Sequence, residues 1–119
     1  MAEHNDLGKL GEDLAVEFLQ QNGFEVLHRN WVFQKAELDI VAVKNNILAI
    51  VEVKTRSSND FGLPQDFVKP AKIKLLVKAV DEYVNVFDRP ENIRFDIIAI
   101  SKLNENFTIE HLEDAFFYF

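Results

Sequence analysis

Two carboxylates and a lysine stand out by type and spacing: Asp39, then Glu52 with Lys54 two residues further on. Between them lies Lys44-Asn45-Asn46, and asparagine tolerates the positive φ that a two-residue hairpin turn requires. A turn at Asn45-Asn46 pairs Val43 with Leu48 and Val41 with Ile50. Continued outward, the same register sets Asp39 opposite Glu52 and Glu37 opposite Lys54, all on one face of the sheet. Two carboxylates directly opposite repel each other, and a divalent cation reverses that sign. Hard cations such as Mg²⁺ take oxygen ligands, usually one or two carboxylates with waters and substrate phosphate. Lys54 lies roughly 6.6–7 Å beyond Glu52 at strand rise, which can set an ammonium beside a water or a phosphate oxygen. The competing reading is a solvated strand end with weak cross-strand ion pairs. It suits Glu37 with Lys54 and leaves Asp39 opposite Glu52 unexplained.

The elements that must position these residues follow from periodicity. Leu7, Leu10, Leu14 and Phe18, widened by Ala15 and Leu19, predict a first helix capped at Asn5 or Asp6 and ended by Gly23. A strand follows at about Phe24–His28, running on through Trp31 and Phe33 after an irregular Arg29-Asn30. Strands at Leu38–Val43 and Ile47–Lys54 form the hairpin. Because Ile47 to Val51 is apolar on both faces, the second reads as a covered central strand from which Glu52 and Lys54 emerge. Ser57 to Pro64 reads as a loop that could close on a substrate, with Gly62 as its hinge. A second helix runs from Asp66 or Lys69 to Phe87, with Pro70 in its first turn and Ile73, Leu76, Val77, Val80 and Val84 on one face. Strands at Ile93–Ser101 and Phe107–Leu112 finish the chain. The order α-β-β-β-α-β-β predicts an α/β fold (α+β at the border), a mixed central sheet flanked by helices in one domain over residues 1–119.

Composition narrows the chemistry. A chain of 119 residues suits one domain with a real core, which 11 Phe can fill. The absence of Cys excludes disulfides, thiolate zinc sites and a Cys nucleophile, and the three His are too widely spaced for a His-rich metal site. No apolar run approaches the roughly 20 residues of a membrane span, and the N-terminus lacks the layout of a secretory signal. A soluble, cytoplasmic protein is expected. The net charge of −7 opposes non-specific nucleic-acid binding. Yet Lys54 to Lys78 holds six basic and two acidic residues, a local +4 against −11 elsewhere. Such a stripe can steer phosphate, although it also fits the wet face of a helix.

Asp39 followed by Glu52-Val53-Lys54 on the next strand resembles the PD-(D/E)XK nuclease superfamily, with its restriction-endonuclease-like core. More closely, the chain resembles the YraN family of small bacterial proteins, itself distantly similar to archaeal Holliday-junction resolvases. The likeness extends over nearly the whole chain. It rests on Gly8-Lys9-Leu10-Gly11-Glu12, Gly23-Phe24, Arg29-Asn30, Glu37 to Ala42, Val51 to Arg56, Phe61 to Pro64, Lys72, and Arg94 to Ile98. The resemblance implies that Asp39 and Glu52 bind Mg²⁺ or Mn²⁺, with the Val53 carbonyl as a third ligand. It makes Lys54 the residue that positions or deprotonates the attacking water, and Glu12 a first-helix carboxylate that completes the site. Glu12 borders the apolar stripe of its helix, a position that equally suits an ordinary exposed carboxylate. Arg56, Lys72 and Lys74 could hold flanking phosphates.

The function implied is a metal-dependent endonuclease acting on nucleic acid, DNA rather than RNA, with branched or single-stranded structure as a candidate substrate. The alternative is a module that keeps the fold and binds nucleic acid or protein without catalysis. Resolvase-like nucleases act as dimers, so the resemblance allows a homodimer. His28 reads as a hydrogen-bonded structural residue and Phe61 as a core or loop anchor rather than a base-stacking ring. Trp31 reads as core or interface. The aromatic tail Ala115 to Phe119 must fold back on the sheet or meet a second copy.

Overall fold

A computed structural model describes residues 2–57 and 68–116. The elements follow the expected order: α1 (Ala2–Gln21), β1 (Glu25–Phe33), β2 (Ala36–Lys44), β3 (Ile47–Ser57), α2 (Pro70–Phe87), β4 (Asn92–Leu103) and β5 (Asn106–Leu112). The five strands lie in one sheet in the order β1-β2-β3-β4-β5. Only β3 and β4 run parallel, joined through α2; the other neighbours are antiparallel. The expected loop at Ser57 to Pro64, with Phe61 and Gly62, lies outside the described residues apart from Ser57, and so do the last three aromatic residues. Phe116 is buried and its ring lies 5.1 Å from Phe95, so the tail does begin by folding back.

Helix α1 starts earlier than its sequence suggests, at Ala2, which places Asn5 and Asp6 inside it rather than at its cap. Its buried row is also rotated. Gly11, Ala15 and Leu19, four residues apart, face the sheet, whereas Leu10 is exposed. Small residues at Gly11 and Ala15 let the helix come close to β3: a Cβ at Gly11 would collide with the Thr55 hydroxyl. Gly23 ends the helix as expected, at φ +90°, with Phe24 N–H donating to Leu19 O and Gly23 N–H to Gln20 O. That pair of bonds is a Schellman closure. In α2, Pro70 takes the first helical position after Lys69, and Leu76, Ala79, Val80 and Tyr83 are buried.

The helices cover opposite faces, giving two cores. One packs Leu38, Val41, Leu48, Ile50, Phe95 and Ile97 against α2. The other packs Ile40, Ala42, Ala49, Val51, Ile98 and Ile100 against α1. Leu38 and Ile40 therefore enter opposite cores, although residues two apart in a regular strand share a face. Strand β2 turns over at Asp39, the residue between them. On β1, Arg29 pairs with Ile40 and Trp31 with Leu38, while the intervening Asn30 adopts a left-handed φ of 54°. The irregularity read at Arg29-Asn30 is real, and it lies beside Asp39.

Candidate active site

The hairpin register is the expected one where the ladder is regular. Asn45 and Asn46 both have positive φ, Val43 pairs with Leu48, Val41 with Ile50, and the last pair is Ile40 with Val51. Beyond that pair β2 and β3 part. The expected cross-strand pairs Asp39–Glu52 and Glu37–Lys54 do not form, because β2 turns over and carries Asp39 off the face of Val41. Instead, Val53 N–H donates to Asp39 Oδ2 at 2.9 Å, so the carboxylate caps the open end of the ladder.

Glu52 keeps its place on the face of Leu48 and Ile50 and is only 8% exposed. Its Oε2 accepts a hydrogen bond from Lys72 Nζ in the first turn of α2. Asp39 stays within electrostatic reach of both. Burial first, then the Glu52 charge, push the Asp39 carboxyl up to about 7, against the Val53 N–H and the Lys72 charge that favour its ionised form. A carboxylate so placed is short of positive charge, and its oxygens together with those of Glu52 are donors of the kind Mg²⁺ and Mn²⁺ take. The donor chemistry fits. Among the described residues no three His, Asp or Glu side chains converge as a ligand set.

Asp39 opens onto two clefts. A cleft of about 340 Å³ on the α1 side is lined by Gly8, Glu12, Asp39, Val53, Lys54 and Thr55. One of about 200 Å³ on the α2 side includes Lys35, Glu37, Asp39, Lys72 and Leu75. Gly11 is what brings α1 over β3, and that close approach delivers Glu12 to the first cleft. Glu12 Oε1 is held there by Arg29, with Nη2 at 2.8 Å and Nε at 3.1 Å, and by Asn30 Nδ2 at 2.9 Å. Arg29 also reaches Asp13, and these two carboxylates raise the guanidinium pKa. Arg29 and Asn30, which lie across from the Leu38–Ile40 stretch of β2, thus tie β1 to α1 through Glu12.

The structure therefore brings Asp39, Val53, Lys54 and Glu12 to one cleft, with Glu52 and Lys72 on the neighbouring face. The other basic candidates stand apart. Arg56 Nε donates to Ser101 Oγ at 3.1 Å on β4, and Lys74 is exposed on α2. The sequence carries no sign of the Glu12 clamp by Arg29 and Asn30, although Arg29-Asn30 reads as irregular. The pairing of Lys72 with Glu52 carries no spacing signal at all. A second buried ionic group gathers Asp96, Arg94 and His111. Asp96 is fully buried. Arg94 Nε and Nη2 reach its two oxygens at 2.8 and 2.9 Å, His111 Nε2 lies 2.9 Å from Oδ2, and Asp114 N–H donates at 3.1 Å. His28 is hydrogen-bonded as expected, sharing a 2.6 Å hydrogen bond with the Tyr83 hydroxyl, and Trp31 packs edge-on against Tyr83.

Fold and cleft together define a mixed α/β protein with a half-buried carboxylate at the open end of its central hairpin. The chain belongs to the Uncharacterised protein family UPF0102, the YraN family, whose model matches residues 11–100. Those residues include Glu12, Asp39, Glu52, Lys54 and Lys72. The chain is 70% identical to a UPF0102 protein of Flavobacterium psychrophilum, 62% to one of Flavobacterium johnsoniae and 56% to one of Christiangramia forsetii, each match covering both chains in full. No described helix is long and apolar enough to cross a membrane.

Proposed function

We propose that this protein is a metal-dependent endonuclease that hydrolyses phosphodiester bonds, with DNA rather than RNA as its substrate. The observation that carries the reading is the Asp39 carboxylate, desolvated, pinned to the Val53 N–H beside Glu52, and facing a cleft it shares with Lys54. Asp39, Glu52 and the Val53 carbonyl are the oxygens that would hold Mg²⁺ or Mn²⁺, which supplies Lewis-acid polarisation of phosphate and a more acidic water.

The remaining work falls to the chain's own groups. Lys54 places a fixed positive charge in a partly dry cleft, where it offsets the negative charge that grows on phosphorus far better than it would in bulk water. Its ammonium can also orient the attacking water. Glu12, on the opposite wall, offers a carboxylate held in one position by Arg29 and Asn30, able to orient or accept a proton from that water. Lys74 and Arg56 lie outside the cleft, where they can take flanking phosphates; each such contact steepens the salt dependence of binding by about one unit.

Two measurements test the reading in sequence. Mn²⁺ should raise the melting temperature of the wild type by linkage, and Asp39→Asn should abolish that response. Cleavage is then assayed with Mn²⁺ on single-stranded, duplex and branched DNA and on RNA, using Lys54→Ala as the control that stays folded but inactive. A salt-dependent gel shift without cleavage on every substrate would replace the nuclease with a binding module on the same fold.

A further inference from the structure

Lys72 is out of place by the rules of its own helix. It is the third residue of α2, a position near the positive end of the helix dipole, where acidic side chains are favoured and a lysine is locally unfavourable. The first turn of α2 contains no acidic residue, and no side chain caps it. What holds the Lys72 ammonium is Glu52, on a strand twenty positions earlier in the chain. The two partners are unequally placed: the Lys72 side chain is 44% exposed and that of Glu52 only 10%. The carboxylate is anchored in the sheet, and the ammonium reaches it from solvent on a flexible stem. The same lysine lines the α2-side cleft with Asp39, and its charge partly offsets the proton affinity of that half-buried carboxyl.

We propose that Lys72 is a displaceable counter-cation for the Asp39–Glu52 pair: it satisfies Glu52 until a divalent ion takes its place, and thereby sets how tightly the pair holds a metal. The inference rests on the metal-dependent reading above and extends it to a residue outside the ligand set. A buried carboxylate without a cation is costly, so the metal-free protein needs such a partner. A partner that is half in water can leave at small cost, because its charge is readily rehydrated. Once released, the ammonium remains in the α2-side cleft, where a substrate phosphate is the natural new partner. Lys72 is thus a positioning residue, acting on the metal through Glu52.

The test titrates Mn²⁺ calorimetrically into wild type, Lys72→Gln and Lys72→Arg, with melting temperatures recorded for each in the presence and absence of Mn²⁺. Lys72→Gln keeps a donor for Glu52 and removes the charge, which favours folding over a fully apolar replacement. It should melt lower than wild type without metal, bind Mn²⁺ about tenfold more tightly, and show the larger Mn²⁺-induced rise. Lys72→Arg, which retains the charge, should bind no more tightly than wild type. If wild type binds Mn²⁺ and Lys72→Gln binds equally or more weakly, Lys72 is a plain structural ion pair and the proposal is overturned. If none of the three binds at millimolar Mn²⁺, the carboxylate metal site itself is refuted, and the role of Lys72 goes with it.

Discussion

The backbone N–H of Val53 donates to the carboxylate of Asp39 across the point where β2 and β3 separate. The bond uses a main-chain group that the ladder no longer engages, and it fixes an acidic side chain that opens onto clefts on both sides of the sheet. Val53 keeps the alternation of β3, on the face of Ala49 and Val51, whereas Asp39 leaves the position that alternation assigns to it; four outcomes follow from that geometry and its surroundings.

Asp39 ties stability to pH with a definite sign. Its carboxyl has a folded-state pKa of about 7, above its ordinary value of 3.8, so the folded protein holds this proton more tightly than the unfolded chain. Stability from this group is full below the ordinary value and is lost as pH rises through about 7. Asp39→Asn, which keeps an acceptor for Val53, should therefore flatten the fall in metal-free melting temperature between pH 5 and 8 and exceed wild type at pH 8. Thermal melts at the two pH values check this, and a wild type whose stability rises over the interval would contradict it.

Asp96 behaves in the opposite sense. Burial alone would raise its pKa, but hydrogen bonds from His111, Arg94 and the Asp114 N–H prevail and hold it below the usual value. Its contribution is present above the unfolded pKa and is lost as pH falls through the lower folded one. Asp96→Asn leaves Arg94 without its bidentate partner and should cost about 3 kcal/mol, the scale for breaking a buried ion pair. Urea denaturation at neutral pH measures it, and the deficit should shrink in strong acid.

The two glycines of the first helix should separate cleanly. Gly11→Ala drives a methyl into Thr55 and should cost about 1–3 kcal/mol, as overpacking does, with partial recovery in Gly11→Ala/Thr55→Ala. Gly8 has nothing within 4 Å of a Cβ built on it, so Gly8→Ala should stabilise α1 by up to about 1 kcal/mol through helix propensity. Since Gly8 lines the Asp39 cleft, a Gly8→Ala protein that is more stable yet cleaves more slowly would mark a close approach of substrate to the helix. Chemical denaturation and a cleavage assay on the same samples separate the two effects.

Glu12 is held by three hydrogen bonds from Arg29 and Asn30, but the Arg29 side chain is 37% exposed. Glu12→Gln should therefore cost less than about 1 kcal/mol of stability, the range for exposed pairs. If Glu12 serves the reaction, cleavage falls far more than stability does; equal small losses in both would reduce it to a clamp between α1 and β1.

Local patterns in the sequence determined a good deal. The paired asparagines at 45 and 46 dictated the turn and hence the register of Val43 with Leu48 and Val41 with Ile50, because a two-residue turn leaves a hairpin no other pairing. Apolar periodicity placed both helices to within a few residues, and Gly23 and Pro70 marked a helix end and a helix start through their own backbone chemistry. The acidic and basic residues worth watching were legible by type alone. Alternation failed at Asp39, where only the packing of Leu38 and Ile40 into opposite cores reveals that β2 turns over. It was likewise tertiary structure that rotated α1 onto its Gly11–Ala15–Leu19 row, set Lys72 on Glu52, and gathered Arg94 and His111 around Asp96. The contacts of Lys72 with Glu52 and of His111 with Asp96 join residues whose separation along the chain has no periodic meaning. They form because two helices close on opposite faces of one sheet, and a charge left inside must then find whatever partner that closure brings within reach.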